Sequence, residues 1–384
     1  MPKGSLMEGL VEFAASIPDF RRTNKGNVRH KLSDMILLMI MARVSGCTGR
    51  AEIIEFGKYN LKRFQSMGML ERGVPSEPTL CRVEQGIDEN DMALSMSECM
   101  QKFYAELTRG NASADIICVD GKAMRGTVQK NGRNPDIVSA YSASQGITLA
   151  TEACEEKSNE ITAVPALLDK IDIAGKVITA DAMSFQKAII DKIRGKEGEF
   201  IIELKANQPS LRYGIEDGIE GLVPESVHTM GPELGHGRIE TRTYRVYDGL
   251  ELIHDKGKWG GNLTVVVFES ETTIKSTGVT TSDRRFYVSS LPTYAPNLAS
   301  AIRTHWSIES MHWGLDAILR QDSTRRKSVK AARNLDTLQR IVHGLFSIWK
   351  AKRKKLSDKT KGMAEIMRNI SMSFTRLMRF LNQK

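Results

Sequence analysis

Cysteine is scarce and scattered in this 384-residue chain. Cys47, Cys81, Cys99, Cys118 and Cys154 are five in number, far apart and without a Cys-x-x-Cys pair, which argues against a disulfide framework or a zinc ribbon and fits a reducing cytosol. The segment from Met1 to Ala14 lacks a basic stretch followed by an apolar run. The longest apolar stretch, Met35 to Val44, is broken by Arg43 and far short of the ~20 residues that cross a bilayer. The expected location is a bacterial-type cytoplasm, with neither export nor a membrane partner. No internal repeat is evident.

What is present is an ordinary globular composition, 41% hydrophobic and 26% charged, on a length that suggests two or three structural units. The net charge is +9, and the sequence pI of about 9.2 lies where polyanion partners become common. The excess is concentrated. Between Lys350 and Lys384 eleven basic residues face only two acidic ones, Asp358 and Glu365, so this segment carries as much net charge as the whole chain. A solvated basic tail and a phosphate-binding element are both open readings of it.

Residues 1 to 110 read as a helical N-terminal domain, with helices at Asp34 to Val44 and Ala51 to Phe64. The turn at Gly73 to Leu80 offers Ser76 or Thr79 as the cap of a helix carrying Arg82, which is one way to build a helix-turn-helix that reads DNA. From residue 111 the pattern changes to α/β. Asp115 to Val119, Ile137 to Ser142 and Ile147 to Ala153 suggest three strands and Val164 to Ile171 a helix. Val177 to Ala180, a helix through Ile189 and Ile193, and Phe200 to Leu204 give strand, helix, strand. That order is the order of a ribonuclease-H-like core, expected over 111–208 and 291–350. Residues 209–290 read as an inserted β subdomain with strands at Arg238 to Tyr247, Leu263 to Glu269 and Arg285 to Ser289. One long helix is expected from Ala295 to Arg320, another from Val329 to Lys350, and a basic helical C-terminus over 351–384.

Asp120 and Asp181 each end an apolar run. Such a carboxylate either caps a following helix or meets a desolvation cost that a cation relieves. In the helix after residue 295, at ~100° per residue, His305, Trp306, Glu309, His312, Trp313 and Asp316 share one sector, while Ile308, Met311, Leu315, Ile318 and Leu319 occupy another. The first sector reads as a wall of an active site or a DNA-stacking surface, or as aromatic burial against a neighbouring domain. Two strand-end aspartates and a helical glutamate are the donor set of two-metal phosphoryl transfer. The Glu309 and His312 step also occurs in di-iron bundles, but the other such steps, Glu225 with His228 and Glu251 with His254, lie in strand-like sequence and supply no facing helix. His236 and His305 are candidates for moving protons.

Seven ordered blocks carry a further reading. They are Pro75-Ser76 with Thr79-Leu80 and Arg82-Val83; Val119-Asp120-Gly121-Lys122 with Arg125-Gly126; Lys157-Ser158-Asn159-Glu160-Ile161; Thr179-Ala180-Asp181-Ala182-Met183 with Gln186; Leu204-Lys205-Ala206-Asn207-Gln208; His236-Gly237-Arg238-Ile239-Glu240 with Arg242; and Arg303 with His305-Trp306, Ile308-Glu309 and His312-Trp313. In these the chain resembles insertion-sequence DDE transposases of the ISAs type, the H-repeat-associated proteins, over essentially its full length. The resemblance implies catalytic, metal-binding Asp120, Asp181 and Glu309, with Mg²⁺ as cofactor and Mn²⁺ as a substitute. The substrates it implies are the double-stranded terminal inverted repeats of an insertion sequence and a target DNA, acted on by a homodimer associated with the nucleoid. It also makes Lys122, Arg125, Lys205, Asn207, Gln208, His236, Arg238, Arg303, His305 and Trp306 candidates for DNA contact.

Many related transposases carry a Tyr seven residues before the glutamate, an Arg four before and a Lys seven after. Here those positions hold Ile302, His305 and Asp316, so a hairpin intermediate is not implied, and Arg303 is the nearest replacement cation. The alternatives to an active enzyme are a catalytically inactive, transposase-derived DNA-binding protein and a nuclease that does not join strands.

Overall fold

The computed structural model describes residues 4–22, 26, 28–110, 114–128, 132–154, 160–235, 237–253, 256–259 and 261–383. His236 and the 157–159 part of the third block lie outside them. In chain order the elements begin with helices α1 (Leu6–Ser16), α2 (Leu32–Val44), α3 (Arg50–Tyr59), α4 (Leu61–Ser66), α5 (Glu77–Gly86) and α6 (Glu89–Thr108). Strands β1 (Ile116–Ala123), β2 (Asp136–Ser142) and β3 (Ile147–Ala153) follow, then α7 (Glu160–Asp169), β4 (Val177–Ala180), α8 (Lys187–Gly195), β5 (Glu199–Leu204) and α9 (Pro209–Gly218). Next come β6 (Ser226–Gly235), β7 (Arg238–Asp248), α10 (Gly249–Leu252), β8 (Thr264–Ile274) and β9 (Thr280–Ser289). The chain finishes with α11 (Ala295–His305), α12 (Ser307–Trp313), α13 (Val329–Ala351), α14 (Leu356–Lys359), α15 (Met363–Ser371) and α16 (Phe374–Leu381). Among the described residues no helix is long and apolar enough to cross a membrane.

Two compact bodies form. A helical body takes Met1–Ala112, Gly121–Lys157 and Glu309–Lys384, and a sheet body takes Ser113–Asp120 and Ser158–Ile308. In the helical body α2 is apolar on every side and buried almost end to end, as a central helix must be. Helix α13 packs on α2, α5, α6 and β3, opened by Ser328, whose hydroxyl accepts from the Ala331 amide at 3.3 Å. The antiparallel β2 and β3 pair lies under α6, where Ser97 donates to the Leu149 carbonyl at 2.8 Å.

In the sheet body the strand order is β1-β4-β5-β9-β8-β7-β6. Strands β1, β4 and β5 run parallel, and β4 is buried at all four residues, which is why Val177 to Ala180 is uniformly apolar apart from Thr179. Strand β9 then pairs antiparallel with β5, so the strands expected as an inserted subdomain continue the same sheet. The α9 helix was not expected, α10 stands where Glu251 was read as strand-like, and β6 was not among the three strands named, although Glu225 to His228 read as strand-like.

Three further expectations change. The helix predicted over Ala51 to Phe64 is divided at Asn60 into α3 and α4. The single helix predicted from Ala295 to Arg320 is interrupted at Trp306, resumes as α12 and passes into a π-helical turn over Gly314–Ile318. The basic C-terminus is not a solvated tail, because α15 and α16 bury Ile366, Met367, Ile370, Phe374, Leu377, Phe380 and Leu381.

Candidate active site

Strands β1 and β4 pair in register with Val119 opposite Ala180, so Asp120 and Asp181 are the next residues on adjacent parallel strands. Neither does the alternative job considered for it. Asp120 lies inside β1, which continues to Ala123. Asp181 precedes a 3₁₀ turn over Ala182–Ser184 without a side-chain capping bond. The desolvation argument fails for Asp181, whose side chain is 55% exposed. Its compensating charge is a histidine: His305 Nε2 lies 3.6 Å from Asp181 Oδ1, and His305 Nδ1 is 2.9 Å from Thr179 Oγ1.

The end of α11 is thereby tied to the strands. Cys118, the register partner of Thr179, places its sulfur 3.6 Å from the Thr304 carbonyl and 3.8 Å from Ser307 Oγ. Burial works against a charged His305, but the Asp181 carboxylate and the Cys118 sulfur outweigh it and push its pKa up to about 9. The same ion pair, assisted by Lys205 and Arg285 against burial, holds the Asp181 carboxyl below its ordinary value. Because the histidine is more basic folded than unfolded, the stability it contributes is complete below its ordinary pKa of 6.5 and is lost as pH rises through about 9. Denaturant unfolding in EDTA should therefore show stability declining between these values, and His305→Gln should flatten the decline. An unchanged profile would remove this ion pair from the account.

Around Asp181 several predicted DNA contacts are engaged within the protein. Asn207 Nδ2 donates to the Ala182 carbonyl at 2.7 Å and Gln208 Nε2 to the Phe185 carbonyl at 3.2 Å, fixing the turn after Asp181. Lys205 is exposed and pairs with the buried Glu203 at 2.9 Å. Trp306 is 42% exposed and lies under the Arg285 guanidinium, 5.3 Å from ring centre to Cζ. Arg303 meets Glu233 at 3.2 Å, and Arg238 is exposed at the start of β7. Sequence reasoning missed Arg285, Thr179 and Cys118. Their roles come from strand register and from α11, and no local motif signals them. A depression of about 550 Å³ beside β5 and β9 is lined by Lys205, Arg212, Arg284 and Arg285 together with Glu203 and Asp283.

In the helical body, Lys122 is not available to DNA: it is buried and paired with Asp316 at 2.8 Å and Asp322 at 3.4 Å. The Arg125 amide donates to Asp322 at 3.2 Å while its side chain is exposed. A Cβ at Gly126 would lie 3.0 Å from the Thr324 carbonyl oxygen and 3.1 Å from that of Asp322, close enough that the 322–324 backbone would have to give by a few tenths of an ångström. Glu309 and Trp313 are exposed on α12 and Ile308, Met311, Leu315 and Leu319 are buried, in line with the two-sector reading, whereas His312 and Asp316 from the open sector and Ile318 from the apolar one are half-buried. Carboxylates on adjacent strands are hard oxygen donors suited to a divalent cation. The sheet body supplies two of them, and among the described residues no three His, Cys, Asp or Glu side chains are grouped to hold a metal.

Residues 111–345 match the family described as the transposase DDE domain, and residues 11–103 match its associated N-terminal domain. The chain is 34% identical to the "Putative transposase YncI" of Escherichia coli O157:H7, covering 95% of this chain and 96% of that one. It is 33% identical to the "H repeat-associated putative transposase YhhI" of Escherichia coli K12, over 89% of this chain and 91% of that one. Among solved structures, a piggyBac transposase synaptic complex with hairpin DNA shares the fold at a TM-score of 0.51 and 10% identity, covering 98% of this chain and 81% of that one.

Proposed function

This chain belongs to the transposase DDE-domain family, and from that premise we propose that it cuts the terminal inverted repeats of an insertion sequence and joins them to target DNA. The catalytic core in this reading is ribonuclease-H-like, and Asp120, Asp181 and Glu309 hold the divalent cation, Mg²⁺ or Mn²⁺. The observation that carries it is the β1 and β4 register, which brings two carboxylates distant in sequence to adjoining strand positions. Glu309 follows His305 by four residues, and His305 is the residue that reaches Asp181.

When bound, a metal pair would activate a water or a 3′-hydroxyl and stabilise the leaving oxygen. The chain's own residues do the rest. His305 keeps Asp181 ionised and oriented, as outer-shell partners of metal ligands do. Asn207 and Gln208 fix the turn behind it, and Lys205 and Arg285 provide the positive field in which a phosphate settles. Joining two ends calls for two active sites, hence a homodimer on double-stranded DNA at the nucleoid.

A second reading is an inactive DNA-binding descendant. Incubating the protein with Mg²⁺, a duplex carrying the inverted repeats that flank its gene, and a target plasmid separates the two. The enzyme yields nicked ends and covalently joined products. Cut ends without joined products would leave a nuclease, and binding without cutting would leave the inactive descendant.

A further inference from the structure

We propose that the C-terminal helical hairpin carries a second, sequence-independent surface for the sugar-phosphate backbone of double-stranded DNA, centred on Arg353, Arg368, Arg376 and Arg379. The proposal extends the DNA reading above but does not depend on catalysis. These arginines line a groove of about 520 Å³ beside α15 and α16. Of the two acidic residues in the groove, Asp358 is already neutralised by Lys361 at 2.8 Å, leaving Glu365. Among the described residues none of the four arginines makes an ion pair.

Arg353 lies over the Trp349 ring, 4.2 Å from its centre, and its buried Nε has no hydrogen-bond partner among the described residues. Trp349 in turn stacks on Phe380 with ring centres 5.9 Å apart. Under Arg353 and against Phe380, the tryptophan is only 9% exposed and offers no platform for an unpaired base. The chemistry left to the groove is phosphate contact, which positions a duplex without reading it.

The packing excludes the reading that a basic amphipathic helix usually invites. Such a helix binds an anionic bilayer by inserting its apolar face. Here that face is occupied: Phe374 sits edge-on to Phe64 at 5.3 Å, Phe380 meets Phe346 at 5.3 Å, and Met367 approaches Gly46. Arg368, Arg376 and Arg379 face out, with Met372 as the exposed apolar side chain at the junction of the two helices. Separate guanidinium groups set along two helices suit a repeating polyanion better than a single small anion.

The test uses the full chain in EDTA and a fluorescent duplex of arbitrary sequence, with affinity measured across a salt series. Replacing Arg368, Arg376 and Arg379 together by Gln should make the plot of log affinity against log salt shallower by about 2 to 3, at ~0.9 per lost contact, and weaken binding at least about tenfold at 0.1 M salt. Replacing the same three by Lys should retain the wild-type slope, which separates lost charge from lost folding. An unchanged slope in the Gln variant overturns the proposal, as does a loss confined to binding of phosphatidylserine vesicles. Because neither metal nor inverted repeats are used, a change in slope stands even if the end-cleavage assay fails, and the converse pattern would spare the catalytic reading alone.

Discussion

Under the proposed function, replacing Asp120 by Asn should lower metal-dependent cleavage of the element's ends by roughly a thousandfold or more, and Asp181→Asn should do the same. A metal site supplies several kcal/mol of transition-state stabilisation, and each ~1.4 kcal/mol is a factor of ten. Asn keeps the shape of the side chain and removes the charge that draws a cation. Asp181 is mostly exposed at a strand end, and Asp120 is half-buried within β1, so neither change creates a cavity. Circular dichroism and duplex affinity should match the wild type for both variants, as should the thermal midpoint in EDTA for Asp120→Asn, whereas Asp181→Asn should lose the stability that its ion pair with His305 contributes. Cleavage that survives either substitution refutes the assignment of that carboxylate. Cleavage lost together with the folded signal would instead mean that the aspartate is structural, and a sharp metal-binding difference in calorimetry between the folded proteins decides between these outcomes.

The parts of this site written in local sequence were the apolar runs that lead into Asp120 and Asp181, although β1 continues past Asp120 to Ala123. Ile116 to Val119 and Val177 to Ala180 are short apolar runs closed by aspartate, and they are adjacent parallel strands. Their pairing is what a buried parallel sheet demands of such runs. The two-sector reading of α12 was equally legible, since apolar positions at helical spacing have one place to go. What could not be read was tertiary. Lys122 looked like a DNA contact because its partners, Asp316 and Asp322, lie almost two hundred residues on. Arg285 gained its place beside Asp181 from the β5 and β9 register.

Strand β6 was missed for a different reason: its residues are exposed or half-buried throughout, so no buried face marks the sequence. The C-terminal segment misled through its charge. Ile366, Ile370, Phe374, Leu377 and Leu381 recur at helical intervals and bury, a pattern the run of lysines and arginines obscured.

Changing Glu84 to Ala in the helical body should cost about 3–5 kcal/mol of stability, the range for removing one partner of a buried ion pair. Glu84 is 1% exposed and receives three arginines: Arg50 at 2.6 Å, Arg326 at 3.0 Å and Arg43 at 3.7 Å. Its helix α5 is held further by Asn334, whose Nδ2 donates to the Glu84 and Ile87 carbonyls at 2.9 and 3.0 Å. The carboxylate thus joins α2, α3, α5 and the loop before α13. Burial already pushes Arg43 down to about 10 against the pull of Glu84, so removing that pull leaves guanidinium groups with neither water nor an anion. Arg50 is the most exposed of the three, and Arg50→Met should cost less than Glu84→Ala. The double variant Glu84→Ala with Arg50→Met should be less damaged than the sum of its parts, because it removes charge of both signs. Urea denaturation of the four proteins measures the coupling. Additive losses, or a Glu84→Ala cost below about 1 kcal/mol, would mean that the carboxylate is dispensable and that the apolar faces of these helices hold the body together unaided.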